Sequence, residues 1–253
     1  MPINRKHFED GFFRLPAWSC PSCRNGTYSN VKESIQIRET GPSKSAHAHE
    51  AWDPDWIEES FVQMMECNSC GEVAAVAGRA SNFLHQYYGC DGEIEMDLQK
   101  TLHPCSVIPA PLVFDIPKNA PENLSRELLK AFALLWMDHE ACATRIRTCI
   151  ELFLDDLKIP STRKNKKGRE FEISLHDRIA EYGNIDKDSS EFLLAVKWIG
   201  NAGSHANTSS LTRNDLLDVL EILDFVLEET YVGRKKKLSG IAGAINAAKG
   251  KPE

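Results

Sequence analysis

Hydrophobic and polar residues follow two different periods along this chain, and the period changes near residue 120. Before that point, four stretches alternate apolar and polar residues or are rich in β-formers, at 30–38, 60–66, 72–79 and 93–101. Such alternation places successive side chains on opposite faces of a strand. Because only a short cysteine-containing turn separates 60–66 from 72–79, these two stretches predict a hairpin. The first part of the chain is therefore expected to be mainly β and irregular.

From Pro121 onwards, apolar residues recur at the spacing of an amphipathic helix. Asp138 and Thr212 are placed to cap two helices, and Gly233 is placed to end one. The pattern predicts helices over about 121–136, 138–158, 174–182, 188–200, 214–231 and 234–248, with a basic loop at 161–170. The second part of the chain is therefore expected to be a helical bundle.

Prolines are concentrated between the two parts. Proline lacks a backbone donor and restricts the residue before it, so a cluster of prolines disfavours a helix. The prolines are Pro104, Pro109, Pro111, Pro117 and Pro121. They predict a stiff connector over 104–120, which divides a first domain at 1–103 from a second at 121–253.

Four of the eight cysteines form two close pairs, Cys20 with Cys23 and Cys67 with Cys70. Two intervening residues allow both sulfurs of a pair to turn inward on one tight knuckle, and two knuckles supply four thiolates to a tetrahedral Zn²⁺. Four protein ligands leave no open coordination position, so the Zn²⁺ is expected to be structural. The insertion between Cys23 and Cys67 is long for a zinc ribbon, but the cost of loop closure grows only slowly with length.

Two other interpretations of the metal-ligating residues remain open. The cysteine pairs are also compatible with unrelated reduced cysteines or with a redox motif. His47 and His49 lie in the insertion and, together with Cys90, are candidates for a second metal site. Alternating histidines of this kind are more commonly ordinary surface residues.

Composition and charge restrict the class of protein. The chain has 253 residues, of which 42% are hydrophobic and 26% charged, the balance of a globular protein. It contains neither an apolar run long enough to span a membrane nor the apolar core of a signal peptide, so a cytoplasmic location is expected.

The net charge of −7 disfavours a protein that binds nucleic acid over its whole surface. A local basic patch would be required, and the sequence offers two candidates. The first comprises Arg163, Lys164, Lys166, Lys167 and Arg169, and the second comprises the consecutive residues 234–237. The alternative is that both are solvated loops or helix ends.

The segment 197–205 is the clearest candidate for a functional site. Here an apolar helix ends abruptly in glycine, asparagine, serine and histidine. Polar residues at a helix end between two long helices are where helical bundles build binding sites. Lys197, Asn201 and His205 are therefore the candidate site residues. A purely structural role of His205 in locking the turn is the alternative.

With these motifs, the helical part resembles the domain of unknown function 4145 family over about 104–248. The residues that carry the resemblance are a proline-rich entry at 117–121, Phe-Ala-Leu-Leu-Trp at 132–136, Arg-Ile-Arg-Thr-Cys-Ile-Glu-Leu at 145–152, Leu-His-Asp-Arg-Ile at 175–179 and Lys-Trp-Ile-Gly-Asn-Ala-Gly-Ser-His at 197–205. Members of that family often carry an N-terminal zinc ribbon. The resemblance thus implies an α+β chain with a small β zinc-ribbon domain followed by an all-α, HEPN-like helical bundle.

The resemblance to HEPN proteins also implies a function. It implies a role in prokaryotic restriction or anti-phage defence, and active HEPN proteins are metal-independent ribonucleases that work as dimers. In them a histidine transfers a proton at the ribose 2′-hydroxyl or the leaving oxygen while an arginine holds the phosphate. By that resemblance His205 is the catalytic histidine and Asn201 is the polar residue within the motif.

The sequence departs from the HEPN motif at one position. No arginine stands where the motif has one, and the nearest upstream base is Lys197, whose ammonium lacks the bidentate fork of a guanidinium. Arg145, Arg147 and Arg178 are candidates to supply a guanidinium from another helix.

Three functional hypotheses follow. The first is a nucleic-acid-associated defence protein that contacts RNA or DNA. The second is a metal-independent ribonuclease that uses His205. The third is a non-catalytic adaptor that forms a homodimer through the last two helices of its helical domain and binds a protein partner, such as a component of a defence system.

Overall fold

The structure is a computed structural model that describes residues 3–88, 93–202, 211–249 and 251. The described chain forms two compact units. One unit comprises Asn4–Val113 together with Phe132–Met137, and the other is formed mainly by Phe114–Ala131 and the residues from Asp138 onwards. An antiparallel sheet dominates the first unit and helices dominate the second, which confirms the expected order of a β domain followed by a helical domain.

All strand pairs of the N-terminal sheet are antiparallel. Its strands are β1 (Tyr28–Asn30), β2 (Gln36–Glu39), β3 (Glu58–Cys67), β4 (Val73–Tyr88) and β5 (Ile94–Ile108). The order across the sheet is β1-β3-β4-β5, and β2 also pairs with β3. The insertion before β3 contains a short helix, α1 (Gly41–Ala46), and a 3₁₀ turn at Pro54–Trp56.

The expected hairpin is formed by β3 and β4. Side chains of β3 alternate between the two faces, so Phe61 and Met65 are buried whereas Val62 and Met64 are exposed. Trp18 is fully buried in the same unit, and its ring lies edge-on to that of Trp136 with centroids 5.0 Å apart. This burial of large apolar side chains stabilises the unit.

Strand β5 continues to Ile108, past Pro104, where the sequence had led us to expect a connector. The register shifts between Ala77 and Gly78, and Gly78 pairs with Pro104. A β-bulge is one of the few places where a sheet tolerates proline. A Cβ on Gly78 would lie 2.1 Å from the carbonyl oxygen of His103, so the close approach of the two strands requires glycine there.

Strands β4 and β5 extend beyond the rest of the sheet. The pairing of β3 with β4 ends at Glu58 opposite Ser81, whereas β4 and β5 remain paired from Asn82 opposite Lys100 to Tyr88 opposite Ile94. The sheet therefore continues on this side as a two-stranded arm.

The helices follow the predicted pattern closely. They are α2 (Glu122–Leu134), α3 (His139–Asp156), α4 (Leu175–Tyr182), α5 (Lys187–Ala202), α6 (Arg213–Leu227) and α7 (Arg234–Ala248), with a π-helical segment at Glu228–Val232. Asp138 caps α3, Thr212 forms a capping box with Asp215 at the start of α6, and Gly233 ends the π-helical segment with a positive φ of 64°. These three local predictions are confirmed.

The predicted basic loop is a small hairpin. Strands β6 (Thr162–Lys164) and β7 (Glu170–Glu172) pair, and the side-chain oxygen of Asn165 accepts hydrogen bonds from the backbone N–H groups of Lys167 and Arg169. Gly168 adopts a φ of 75° in this turn.

Among the described residues, no helix is long and apolar enough to cross a membrane.

Candidate functional site

The four paired cysteines meet at one end of the N-terminal sheet. Cys67 is the last residue of β3, and Cys70 lies in the turn that leads to β4. Cys20 and Cys23 lie in the loop before β1, whose residue Tyr28 pairs directly with Cys67. Pairing of β1 with β3 therefore brings the first knuckle against the second.

The distances between the sulfur atoms suit a single metal ion. The Sγ atoms of Cys20 and Cys70 are 3.8 Å apart, those of Cys23 and Cys67 are 3.7 Å apart, and all four lie within 4.8 Å of one another. A tetrahedral ion with bonds of ~2.3 Å to sulfur places its ligand atoms ~3.8 Å apart. The cluster can therefore hold a metal ion with four sulfur ligands.

Backbone amides stabilise thiolates in this cluster. The N–H of Gly26 donates to Cys23 Sγ at 3.3 Å, and the N–H of Ser69 donates to Cys67 Sγ at 3.5 Å. Hydrogen bonds from the backbone of Asn25 and Gly26 lower the pKa of the Cys23 thiol to about 6. Burial and the neighbouring cysteine thiols raise the pKa of Cys70 to about 12, so a bound cation would be needed to hold all four sulfurs as thiolates near neutral pH.

His47 and His49, two candidates for a second metal site, do not form a comparable cluster among the described residues. His47 Nε2 lies 2.7 Å from Glu39 Oε1, and the ring of His47 lies against that of Trp52 with centroids 4.5 Å apart. Cys90 lies outside the described residues. In the part of the chain that the structure describes, the four-cysteine cluster is the one group of three or more side chains placed to share a metal ion.

The second candidate site lies in the helical domain, where α5 packs on α3. Arg147 on α3 donates from Nη1 to Oδ1 of Asn201 on α5 at 2.6 Å. A Cβ on Gly200 would lie 3.4 Å from the Cβ of Arg147, which is ordinary van der Waals contact, so Gly200 lies against α3 without being required there. The structure therefore brings a guanidinium to Asn201, which lies within the segment that the sequence had singled out.

The other two candidate arginines have partners elsewhere. Arg145 Nη1 lies 3.2 Å from Glu127 Oε2. Arg178 is buried, and its Nη2 donates to Asp155 Oδ1 at 2.6 Å and to the carbonyl oxygen of Ile159 at 2.9 Å. Arg178 thus ties α4 to the end of α3, which is a structural role.

Lys197 lies one turn before Asn201 on α5. It is largely buried, and its ammonium lies 3.7 Å from the centroid of the Trp198 ring. Trp198 itself is 59% exposed, and its ring centroid is 6.3 Å from that of His176. A cation and an exposed aromatic ring therefore flank the Arg147–Asn201 pair along α5. His205, the predicted catalytic residue, lies outside the described residues.

The basic residues at 163–169 are exposed on the β6–β7 hairpin. Arg163 is paired with Glu181 at 2.5 Å. Within the described ranges, the other four, Lys164, Lys166, Lys167 and Arg169, form no ion pair, and all are solvent-exposed. The hairpin thus presents its cations to solvent.

The base of this hairpin is close to the α3–α5 site. Glu151, whose Oε1 lies 3.6 Å from Nε of Arg147, lines a cavity of about 230 Å³ together with Thr162 and Glu172 at the hairpin base. Leu175, at the start of α4, lines the same cavity and precedes His176. The hairpin, the exposed aromatic ring and the Arg147–Asn201 pair therefore occupy neighbouring positions on the helical domain.

Sequence reasoning had no means of choosing Arg147 over Arg145 or Arg178. All three lie on helices distant in sequence from Asn201, and the choice depends on how α3 is rotated against α5. Gly200 did not provide a signal for this choice, because a Cβ there would make only ordinary van der Waals contact with α3. The exposure of Trp198 could have been inferred from its position on α5 opposite the buried residues Leu193 and Val196.

Comparisons with known families support the division of the chain. Residues 130–246 match the family model described as Domain of unknown function (DUF4145), which confirms the resemblance of the helical part. Residues 11–105 match a second model, Domain of unknown function (DUF8608). No curated protein and no solved structure matches the chain significantly.

Proposed function

We propose that this chain, whose helical part matches DUF4145, is a nucleic-acid-associated protein with a HEPN-like helical domain and a zinc-stabilised β domain. The observation that carries the proposal is the hydrogen bond of 2.6 Å between Arg147 and Asn201. Through this hydrogen bond, Arg147 brings a guanidinium to the segment 197–205, which contains no arginine.

A phosphate group suits this site chemically. Asn201 is a neutral partner, so its hydrogen bond to Arg147 does not neutralise the guanidinium, which has an ion pair only with the partly exposed Glu151 among the described residues. A guanidinium has five N–H donors in a planar fork, which matches the oxygens of a phosphate. Glu151 lies at 3.6 Å from Arg147 and is partly exposed, so it competes only weakly with an incoming phosphate.

The surroundings suit a single strand rather than an isolated phosphate. Exposed aromatic rings bind unpaired bases by stacking, and cationic surfaces follow the backbone of the strand. Trp198 provides such a ring, and Lys164, Lys166, Lys167 and Arg169 provide the cations. The proposed ligand is therefore single-stranded RNA or DNA, which passes from the β6–β7 hairpin to the α3–α5 site.

Zinc is the metal we propose for the four-cysteine cluster. Zn²⁺ with four cysteines is tetrahedral and closed to substrate, so its role would be structural. Iron in the same geometry is the alternative. Elemental analysis of the purified protein distinguishes the two, and about one equivalent of zinc per chain is expected.

Binding of a labelled single-stranded RNA, measured over a range of salt concentrations, tests the proposal. Arg147→Ala should weaken binding about tenfold, since a charge-assisted hydrogen bond is worth ~1.5 kcal/mol. Its matched control is Arg145→Ala, which removes the same charge two residues away on the same helix, where the arginine is paired with Glu127. Arg147→Lys keeps the charge but loses the fork, and should give an intermediate affinity.

Charge removal on the hairpin provides an independent test. Lys166→Ala with Lys167→Ala should reduce the slope of log affinity against log salt concentration by about 0.7 for each phosphate that the variant no longer neutralises. Affinity that is unchanged in both this variant and Arg147→Ala would contradict the proposed nucleic-acid site.

Ribonuclease activity is the second candidate function, and it is favoured by the position of Asn201 four residues before His205. In this reaction His205 takes the proton of the ribose 2′-hydroxyl, and the 2′-oxygen attacks the adjacent phosphorus. The bond from phosphorus to the 5′-oxygen of the next nucleotide breaks, and that oxygen leaves with a proton from water or from the protonated His205, while Arg147 stabilises the charge on the phosphate oxygens. Lys197 would add a second positive charge. The expected result is RNA cleavage in EDTA that is lost in His205→Ala and in Arg147→Ala but retained in Arg145→Ala. Binding without cleavage would favour a non-catalytic role, such as that of an adaptor in a defence system.

A further inference from the structure

The cavity of about 230 Å³ at the base of the β6–β7 hairpin is polar and small. Besides Glu151, Thr162, Glu172 and Leu175, it is lined by Ile173 and Arg178. Pockets for drug-sized ligands have volumes of ~300–1,000 Å³. The cavity therefore suits a single small ring system better than a larger molecule.

Arg178 is a buried residue of this cavity with unused hydrogen-bond donors. Its side chain is 5% exposed, and Nη2 alone makes its two hydrogen bonds, to Asp155 and to the carbonyl oxygen of Ile159. Among the described residues, Nε and Nη1 have no hydrogen-bond partner, and Nε is buried. A buried donor without an acceptor costs free energy, so an occupant that brings acceptors into the cavity would be stabilised there.

The charge of Arg178 determines which kind of acceptor suits it. The carboxylate of Asp155, 2.6 Å from Nη2, already balances the guanidinium. The remaining N–H groups therefore need a neutral acceptor, such as a carbonyl oxygen or a ring nitrogen. A phosphate is disfavoured in this cavity, because it would lie beside the carboxylates of Glu151 and Glu172.

Glu172 requires donors instead of acceptors. Within the described part of the chain, its side chain has no hydrogen bond and no ion pair, whereas Glu170 on the same strand accepts a hydrogen bond from Thr162 Oγ1 at 2.7 Å. The two oxygens of a carboxylate can accept two parallel N–H bonds. Ile173 and Leu175 add apolar surface to the cavity. The cavity thus suits a flat molecule with acceptors on one edge and adjacent N–H donors on another.

Guanine is the nucleic-acid base with that arrangement. Its N7 and O6 are acceptors that pair with the N–H groups of an arginine, and its N1–H and 2-amino groups are adjacent donors for a carboxylate. Adenine, cytosine and uracil each lack such a pair of adjacent donors. Unpaired bases are recognised in this way, through hydrogen bonds to their edges.

The cavity adjoins the proposed phosphate site. Glu151 lines the cavity, and its Oε1 lies 3.6 Å from Nε of Arg147, one turn earlier on α3. We propose that the cavity binds an unpaired guanine of the strand whose phosphate lies at Arg147. Arg178 donates to the N7 and O6 edge, and Glu172 accepts from N1–H and the 2-amino group. This inference rests on the proposed function and adds a base preference to it, which a phosphate contact alone does not give.

The affinities of matched single-stranded probes, each made as RNA and as DNA, test the proposal. The probes are a pyrimidine-only strand and the same strand with guanine, adenine or hypoxanthine at one central position. The guanine strand should bind about tenfold more tightly than the adenine strand, as expected for one bidentate contact. Hypoxanthine lacks the 2-amino group, so its strand should have an intermediate affinity.

Glu172→Gln separates the cavity from the rest of the site. An amide cannot accept both N–H groups of guanine, so the preference over adenine should be lost, whereas affinity for the pyrimidine-only strand should not fall. Glu170→Gln is the matched control, because it removes the same charge from β7 at a residue that does not line the cavity. It should keep the preference. Arg147→Ala should weaken the binding of every strand and also keep the preference.

The other outcomes distinguish this inference from the proposed function. A wild-type chain that binds all four strands with equal affinity would overturn the guanine site and leave the nucleic-acid function in place. A guanine preference that survives in Glu172→Gln would overturn the assignment of this cavity. Absence of binding to every strand would overturn both proposals. Circular dichroism checks that each variant is folded.

Discussion

Replacing Cys67 with serine removes one of the four sulfurs at the end of the sheet and should cause the N-terminal unit to unfold. Structural Zn²⁺ sites contribute on the order of 10 kcal/mol to folding, whereas a whole domain is stable by only ~5–15 kcal/mol. The loop that carries Cys20 and Cys23 is joined to the sheet through β1, which pairs with β3 over three residues, from Tyr28 opposite Cys67 to Asn30 opposite Met65, and through isolated bridges of Ser19. Strand pairing of that length cannot replace the metal.

Two measurements check this prediction. Elemental analysis should find far less than one equivalent of metal in Cys67→Ser, and thermal unfolding should show loss of the transition that belongs to the β domain. Hydrogen exchange at the Tyr28 and Met65 amides would localise the effect, because both residues lie in the pairing of β1 with β3.

Cys105→Ser is the matched control. Cys105 lies in the same unit, is exposed, and is not part of the four-cysteine cluster. It should keep its metal and the stability of the wild type. Retention of a full metal equivalent and an unchanged unfolding transition in Cys67→Ser would refute the assignment of the cluster as a structural metal site.

Three further predictions concern single residues. Gly26→Ala should weaken metal retention, measured by competition with a chelator, because the new Cβ would lie 2.6 Å from Cys67 Sγ and displace it. Burial raises the pKa of the Asp224 carboxyl to about 6, above its unfolded value of about 4, so its contribution to stability is present below pH 4 and is lost as the pH rises to 6. Asp224→Asn should therefore raise the free energy of unfolding at pH 7 by ~1 kcal/mol, after allowing for partial exposure. Between pH 4 and 6, the free energy of unfolding measured with a chemical denaturant should depend less on pH in this variant than in the wild type. Arg178→Ala should cost ~2 kcal/mol in thermal unfolding, since it removes the buried guanidinium bound to Asp155 and Ile159.

Features that depend on local sequence were predictable. The caps at Asp138 and Thr212 and the positive φ of Gly233 follow from side-chain chemistry within a few residues, and all three are present. The cysteine spacing likewise predicted which sulfurs would meet, because each knuckle is a local turn and the hairpin of β3 and β4 supplies the rest.

Features that depend on packing between distant segments were not predictable. The pairing of Arg147 with Asn201 requires the rotation of α3 against α5, which no local pattern specifies. The continuation of β5 past Pro104 depends on a bulge opposite Gly78, and a proline by itself indicates the end of a strand. The β6–β7 hairpin was interpreted as a loop because its strands are too short and too charged to show alternation.

The arm formed by β4 and β5 makes one end of the sheet easier to open than the end that carries the cysteines. Between Asn82 and Tyr88, each β4 residue is paired with β5 alone, whereas nearer the cysteines β4 lies between two neighbours. A two-stranded ribbon opens at a small fraction of the free energy needed to unfold a sheet with three or more strands. Amides of the arm should therefore exchange with solvent early, and a protease should cut there first, leaving a trimmed core that still contains all four clustered cysteines.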